Sequence, residues 1–72
     1  MTIQDEHKIR DELKFYKDNN DAVHIVLNTG YFMNGEVSFF NEDNMIFIDE
    51  KLGKVMIHFK DISSVMKREA KR

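Results

Sequence analysis

The stretch IVLNTGYFMNGEV, residues 25–37, carries two of the chain's three glycines, five residues apart and between apolar flanks. A β-hairpin needs one glycine in its turn, so the second glycine requires its own explanation. We assign Gly30 to the turn NTG, where glycine adopts positive φ without a steric penalty. Gly35 falls inside the next strand, where glycine costs stability unless the chain bends or another backbone approaches closely. We predict a sharp bend at Gly35, with a bulge or a weak strand as the alternative.

Apolar residues on both sides of this stretch alternate with a period of two, which indicates β-strands. The turns between them carry the sequences NTG, NEDN, DEKLGK and KD, rich in residues that favour turns. The predicted strands are residues 22–27, 31–40, 45–48, 55–59 and 62–66. Five short strands with hairpin spacing, after one helix, predict a mainly β protein built as a small antiparallel barrel.

Residues 2–18 precede the strands and have the period of an α-helix. Ile9, Leu13 and Tyr16 fall at i, i+4 and i+7, which gives one narrow apolar stripe. We expect this N-terminal helix to cover one opening of the barrel. The prediction is a single domain over residues 1–72, with the helix at 2–18, the barrel at 22–66 and a basic tail at 67–72.

The composition restricts the possible functions. The chain has 72 residues, no cysteine and a net charge of −2, which excludes disulfides and argues against a simple polyanion binder. It has no long apolar run and a charged N-terminus, so we expect a cytoplasmic protein without a membrane span. Apolar residues make up 42% of the chain, including six Phe and five Met, and we expect another copy to cover some of them. Four basic residues in the tail keep it solvated or contact nucleic acid.

Two motifs resemble those of the Sm-like family, which includes the bacterial Hfq proteins. The first is Leu27-x-x-Gly30, four residues, Gly35 and then FFNEDN; the second is HFKDISSV at residues 58–65. The resemblance implies a small, strongly bent, five-stranded antiparallel barrel of the SH3-like kind, preceded by a helix. It also implies a homo-oligomeric ring of five to seven copies, in which the fourth strand of one protomer pairs with the fifth of the next. Such rings bind single-stranded U-rich or A-rich RNA, so the implied role is that of an RNA chaperone or RNA-processing factor.

The resemblance also implies RNA-binding residues on one face of the ring. Ile62 and Ser63 match the Ile-Ser of Hfq, which gives Lys60 the basic position beside the pore. Lys60 would contact a phosphate or a uracil carbonyl. Asn41 stands where the family has an Asp, and Asn44 matches the Asn that follows when one residue is deleted from the loop.

The opposite face offers a second group of candidates directly after Gly30. In Hfq, residues at this place help to bind purine-rich RNA, and here they are Tyr31, Phe32, Met33 and Asn34. Exposed aromatic rings stack on bases, at about 1–3 kcal/mol each. The Asn34 amide offers both a donor and an acceptor to a base edge. The alternative is that Tyr31 and Met33 pack against the barrel and the helix.

The sequence contains no nucleophile–base motif, no glycine-rich phosphate loop and no metal-ligand spacing, so we expect neither an enzyme nor a cofactor. His24 and His58 are interpreted as ordinary strand histidines, although they could be neighbours. Asp49 and Glu50 are interpreted as solvated turn residues, and Phe59 as a core residue. The competing hypothesis is an oligomeric small-barrel module for protein assembly that does not bind RNA, which the slightly acidic charge favours.

Overall fold

The computed structural model describes residues 6–68, which form one helix followed by five strands. Helix α1 spans Glu6–Asp18, and a single 3-10 turn, Phe59–Asp61, joins the last two strands. The strands are β1 (Val23–Leu27), β2 (Phe32–Phe40), β3 (Asn44–Asp49), β4 (Gly53–His58) and β5 (Ile62–Lys67). The number and order of the predicted elements are confirmed. The predicted start of the helix at residue 2 and the tail beyond Arg68 lie outside the described residues.

The strands form one antiparallel sheet in the order β4-β3-β2-β1-β5. This confirms a mainly β protein with one N-terminal helix. The sheet is not closed, because β4 pairs only with β3 and β5 only with β1 within residues 6–68. The barrel expected from the sequence is therefore not completed by strand pairing within one chain, and β4 and β5 are both edges of the sheet.

Gly35 lies where strand β2 changes partners. β2 pairs with β1 up to Gly35 and with β3 from Gly35 onward, so Gly35 faces Val23 on one side and Asp49 on the other. A Cβ atom at this position would lie 2.8 Å from the carbonyl carbon of Ile48 and closer still to its oxygen. The bulge in β2 occurs further along, between Val37 and Phe39. The close approach of a neighbouring backbone is thus the reason for glycine here.

One hydrophobic core lies between the helix and the sheet. It consists of Ile9, Leu13, Val23, Ile25, Met33, Val37, Met45, Phe47, Ile57, Phe59 and Ile62. The predicted helix stripe is confirmed, because Ile9 and Leu13 are buried and Tyr16 packs against the core. Phe59 is buried as predicted, although it begins the 3-10 turn instead of ending β4. Among residues 6–68 there is no helix with the length and apolarity needed to cross a membrane.

Candidate nucleic-acid interface

Two turns that are distant in sequence form a cleft around Lys60. The cleft has a volume of about 340 Å³ and is lined by Asp43, Asn44, His58 and Lys60. We call it the Lys60 cleft. Asn41 does not line it but donates an Nδ2–H hydrogen bond of 2.6 Å to Asn44 Oδ1. The three candidates Lys60, Asn41 and Asn44 therefore lie in one neighbourhood, and His58 joins them without having been predicted as a site residue.

Strand pairing explains why these residues meet. Asn44 begins β3 directly opposite His58, the last residue of β4. The backbone N–H of Phe59 donates to the carbonyl of Asp43 at 3.1 Å, which ties the 3-10 turn to the β2–β3 turn. On the other side, Asn28 Nδ2 donates to the Lys60 carbonyl at 3.0 Å. A hydrogen bond from the β1–β2 turn thus fixes the Lys60 backbone, while the exposed side chain of Lys60 remains available to a ligand.

Arg10 of α1 supports the Lys60 cleft from the helix. Its guanidinium carbon lies 5.8 Å from the ring centroids of both Phe40 and Phe59, a distance at which cation–π attraction operates. It also donates to the carbonyl of Glu42 at 3.4 Å. Arg10 therefore connects the helix to both turns that form the cleft. Arg10 was not predicted as a site residue, although its position beside Ile9 of the buried stripe placed it at the border of the core.

A second cleft, the Phe32 cleft, lies at the β1–β2 and β3–β4 turns. It has a volume of about 270 Å³ and is lined by Gly30, Tyr31, Phe32, Asn34, Asp49, Glu50 and Lys51. The side chains of Tyr31 and Phe32 are 54% and 57% exposed, whereas Met33 is buried in the core. Each of the two interpretations therefore holds for part of the segment. Met33 packs in the core, whereas the rings of Tyr31 and Phe32 are accessible to a ligand.

One ion pair and one further lysine stand beside the Phe32 cleft. Glu50 forms an ion pair with Arg68, the last described residue of the basic segment. The Glu50 backbone N–H donates to the Asn34 carbonyl at 2.9 Å, which joins the β3–β4 turn to β2. Lys51, an exposed residue, adds a positive charge at the same place. The cleft thus combines aromatic faces, an amide and a cation.

The interpretation of Asp49 as a solvated turn residue is wrong. Asp49 ends β3 with only 6% of its surface exposed. Its Oδ2 accepts the backbone N–H of Leu52 at 2.8 Å and that of Lys51 at 2.9 Å. These bonds, Leu52 first, hold the pKa of Asp49 below its ordinary value, although burial opposes them. The carboxylate therefore shapes the β3–β4 turn that supplies Glu50 and Lys51 to the cleft.

We expect Asp49→Asn to remove part of the acid sensitivity of the fold. Because the folded-state pKa of Asp49 is lowered, its stabilisation is present above its unfolded pKa of about 4 and is lost as the pH falls toward the folded value. Urea unfolding between about pH 2 and pH 7 should show a smaller loss of stability at low pH in the variant. Glu36→Gln, which removes an exposed carboxylate, is the control. A wild-type pH profile in Asp49→Asn would contradict the assigned role.

Both edges of the sheet expose apolar side chains. Met56 on β4 is 59% exposed, and Met66 on β5 is 53% exposed. Beside β4 lies a groove of about 250 Å³ with mainly apolar lining. It is lined by Leu27, Tyr31, Met33, Leu52, Val55, Met56, Ile57, His58 and Asp61. Within residues 6–68 each of these strands has a partner strand on one side only, and together with its exposed apolar side chain this makes each edge a suitable surface for strand pairing with another chain.

The two strand histidines are not neighbours. His24 lies on β1 and His58 on β4, and two strands separate them in the sheet. His24 instead contacts Asn34, with 2.7 Å between Nδ1 and Oδ1, and Phe32, with ring centroids 5.3 Å apart. Within residues 6–68, no group of three or more His, Asp or Glu side chains is arranged to hold a metal ion. Each histidine instead lies beside one of the two clefts.

No protein-family model and no curated protein matches this chain. Its function is therefore inferred from the fold, the two clefts and the two sheet edges.

Proposed function

We propose that this chain is the protomer of a homo-oligomeric Sm-like ring that binds single-stranded RNA without catalysis. The observation that carries the proposal is the convergence of Asn44 and Lys60 from two distant turns at one cleft, with Asn41 hydrogen-bonded to Asn44 beside it. Amides and a lysine are groups that contact bases and phosphates of RNA. The motif resemblance selects the same three residues independently of the fold.

The sheet edges support the ring. In the proposed assembly, β4 of one protomer pairs with β5 of the next, so that small barrels are completed side by side around a closed circle. Pairing would satisfy the backbone groups at both edges and cover Met56 and Met66. A chain of 72 residues buries only a modest part of its surface alone, so this additional burial would stabilise it substantially.

The distribution of charge also agrees with RNA binding despite the net charge of −2. Lys60 and Lys51 each stand at one of the two clefts, and Arg68 is paired with Glu50 beside the second. Aromatic rings at the Phe32 cleft can stack on bases, and stacking depends little on net charge. The proposal therefore places U-rich RNA at the Lys60 cleft and further bases at the Phe32 cleft.

The second candidate function is an oligomeric assembly module that does not bind RNA. The apolar groove beside β4 and the exposed methionines favour assembly regardless of any ligand. The two functions share the ring and differ in nucleic-acid affinity. Light scattering measures the assembled mass, and fluorescence anisotropy with U-rich and A-rich oligonucleotides over a salt series measures RNA binding. A strictly monomeric protein at micromolar concentration would contradict both, and a ring with no RNA binding at low salt would leave the assembly module.

Lys60→Ala should weaken U-rich RNA binding about 10- to 150-fold at low salt, because a hydrogen bond to a charged group contributes about 1.5–3 kcal/mol. Loss of a phosphate contact should also make binding less salt-dependent. Anisotropy titrations measure both effects, and light scattering should show an unchanged mass. Lys54→Ala is the matched control, since Lys54 is an exposed lysine of β4 that lines neither cleft. Dissociation of the oligomer in Lys60→Ala would contradict the proposed role of Lys60.

A further inference from the structure

His24 lies behind the Phe32 cleft without lining it. It stands on β1 directly opposite Asn34 of β2, and its Nδ1 is 2.7 Å from Asn34 Oδ1. Its ring is tilted by 34° against the ring of Phe32, with 5.3 Å between centroids. His24 therefore contacts both an aromatic ring and an amide that a ligand in the cleft would meet.

The hydrogen bond determines what Asn34 can offer. A carboxamide oxygen only accepts hydrogen bonds, so His24 Nδ1 carries the proton and donates it. The oxygen and nitrogen of a carboxamide diverge from one carbon. With Oδ1 turned toward His24, the NH₂ group diverges from that contact, and Asn34 lines the cleft together with Asp49, Glu50 and Lys51. The donors of Asn34 thus remain free, whereas one of the two lone pairs of its oxygen is occupied by His24.

Base recognition by asparagine depends on which of these groups is free. Its bidentate contact with adenine uses the oxygen and the nitrogen together, one accepting and one donating. An amide whose oxygen is already hydrogen-bonded offers mainly its N–H groups, which suit bases with carbonyl oxygens, such as uracil. The acceptor that the sequence predicts for Asn34 is therefore partly engaged while His24 is in place.

We propose that His24 is a positioning residue that sets the base specificity of the Phe32 cleft, turning Asn34 so that uracil is favoured over adenine. The inference rests on the proposed RNA-binding function. His24 would then determine which base is preferred without itself contacting the RNA.

The test compares the affinity ratio for oligo(A) over oligo(U) between variants. His24→Leu removes the donor and frees Asn34 Oδ1, so this ratio should rise about fivefold or more, the effect of one bidentate base contact. His24→Asn is the matched variant, because its Nδ2 is bonded to Cγ as Nδ1 is in histidine and can still donate. It should keep the wild-type ratio although the stacking ring is lost.

A double variant shows whether His24 acts through Asn34. In an Asn34→Ala background, His24→Leu should leave the ratio unchanged, because no amide remains to be turned. Imidazole nitrogen NMR shifts of the wild-type protein supply a test that needs no variant: the Nδ1–H tautomer is expected at neutral pH. Observation of the Nε2–H tautomer, or an unchanged ratio in folded His24→Leu, would overturn the inference while RNA binding itself persists. Absence of RNA binding by the wild-type ring would instead refute the proposed function.

Discussion

Replacing Gly35 by valine is expected to prevent the chain from folding. A Cβ atom at this position would overlap the carbonyl group of Ile48, and both partners are backbone. The clash can be relieved only by separating β2 from β3, the two strands on which the core residues Val37 and Phe47 lie. A domain of this size has a free energy of unfolding of about 4–10 kcal/mol in total. Far-UV circular dichroism of Gly35→Val should show loss of the sheet, and expression should give aggregate.

Gly35→Ala is the milder form of the same test, and Gly30→Ala is its control. Alanine adds only the Cβ, and we expect it to cost about 3 kcal/mol or more at position 35, at the upper end of the range for overpacking. At position 30 the same atom meets open space, and the cost arises only from the φ of +93°, about 1–2 kcal/mol. Urea unfolding compares the two. Equal stabilities of the two alanine variants would show that close approach at Gly35 is not the constraint.

Placing lysine at both sheet edges is expected to convert the proposed ring into monomers. Met56 on β4 and Met66 on β5 are the exposed apolar side chains of the two edges. In Met56→Lys/Met66→Lys, each contact between protomers would have to bring two positive charges together in place of two methionines. Charged edge side chains are a common means by which proteins prevent strand pairing. The mass measured by light scattering should fall from a multiple of 8.6 kDa to that value.

Two further variants separate this effect from a general loss of apolar surface. Phe39→Lys removes a side chain of nearly equal exposure, 57% against 59% for Met56, from the interior strand β2. It should leave the assembly intact. Met56→Lys/Met66→Glu places opposite charges on the two edges and should recover more of the assembled mass than the double lysine variant. An unchanged mass in Met56→Lys/Met66→Lys would place the contact between protomers elsewhere, and a wild-type monomer would exclude the ring.

The strands were predictable because alternation is a local property of the chain. Side chains of a strand point alternately to its two faces, so a half-buried strand shows a period of two whatever its neighbours are. The turn at Gly30 was predictable for a similar reason, because positive φ favours glycine. Ends of elements were less well predicted, since Phe59 was assigned to a strand and begins a 3-10 turn. Its burial was predictable, but its backbone conformation depends on how the corner meets the β2–β3 turn.

The burial of Asp49 and the contacts of Arg10 were not predicted from the sequence. Asp49 was interpreted as solvated because it adjoins Glu50 in a polar turn, yet its carboxylate is buried and accepts two backbone N–H groups. The available signal was its place just before a turn, since Asp side chains commonly bond the backbone two residues on. Arg10 gave no comparable signal, because its contacts with Phe40 and Phe59 exist only when the helix is packed on the sheet.

The order of the elements and the buried helix stripe followed from the sequence alone, because the spacing of apolar residues is a property of short segments. The sequence marked Gly35 as unusual, but the reason for glycine there, the backbone of Ile48 on the neighbouring strand, is set by the folded sheet. The motifs gave only the expectation that Asn44 and Lys60 lie on one face of the ring, whereas the folded chain brings them, together with His58, to one cleft. The bond between His24 and Asn34, and the exposure of β4 and β5 as edges, required the folded sheet. Such contacts depend on which strands become neighbours, and no local pattern of residues specifies that.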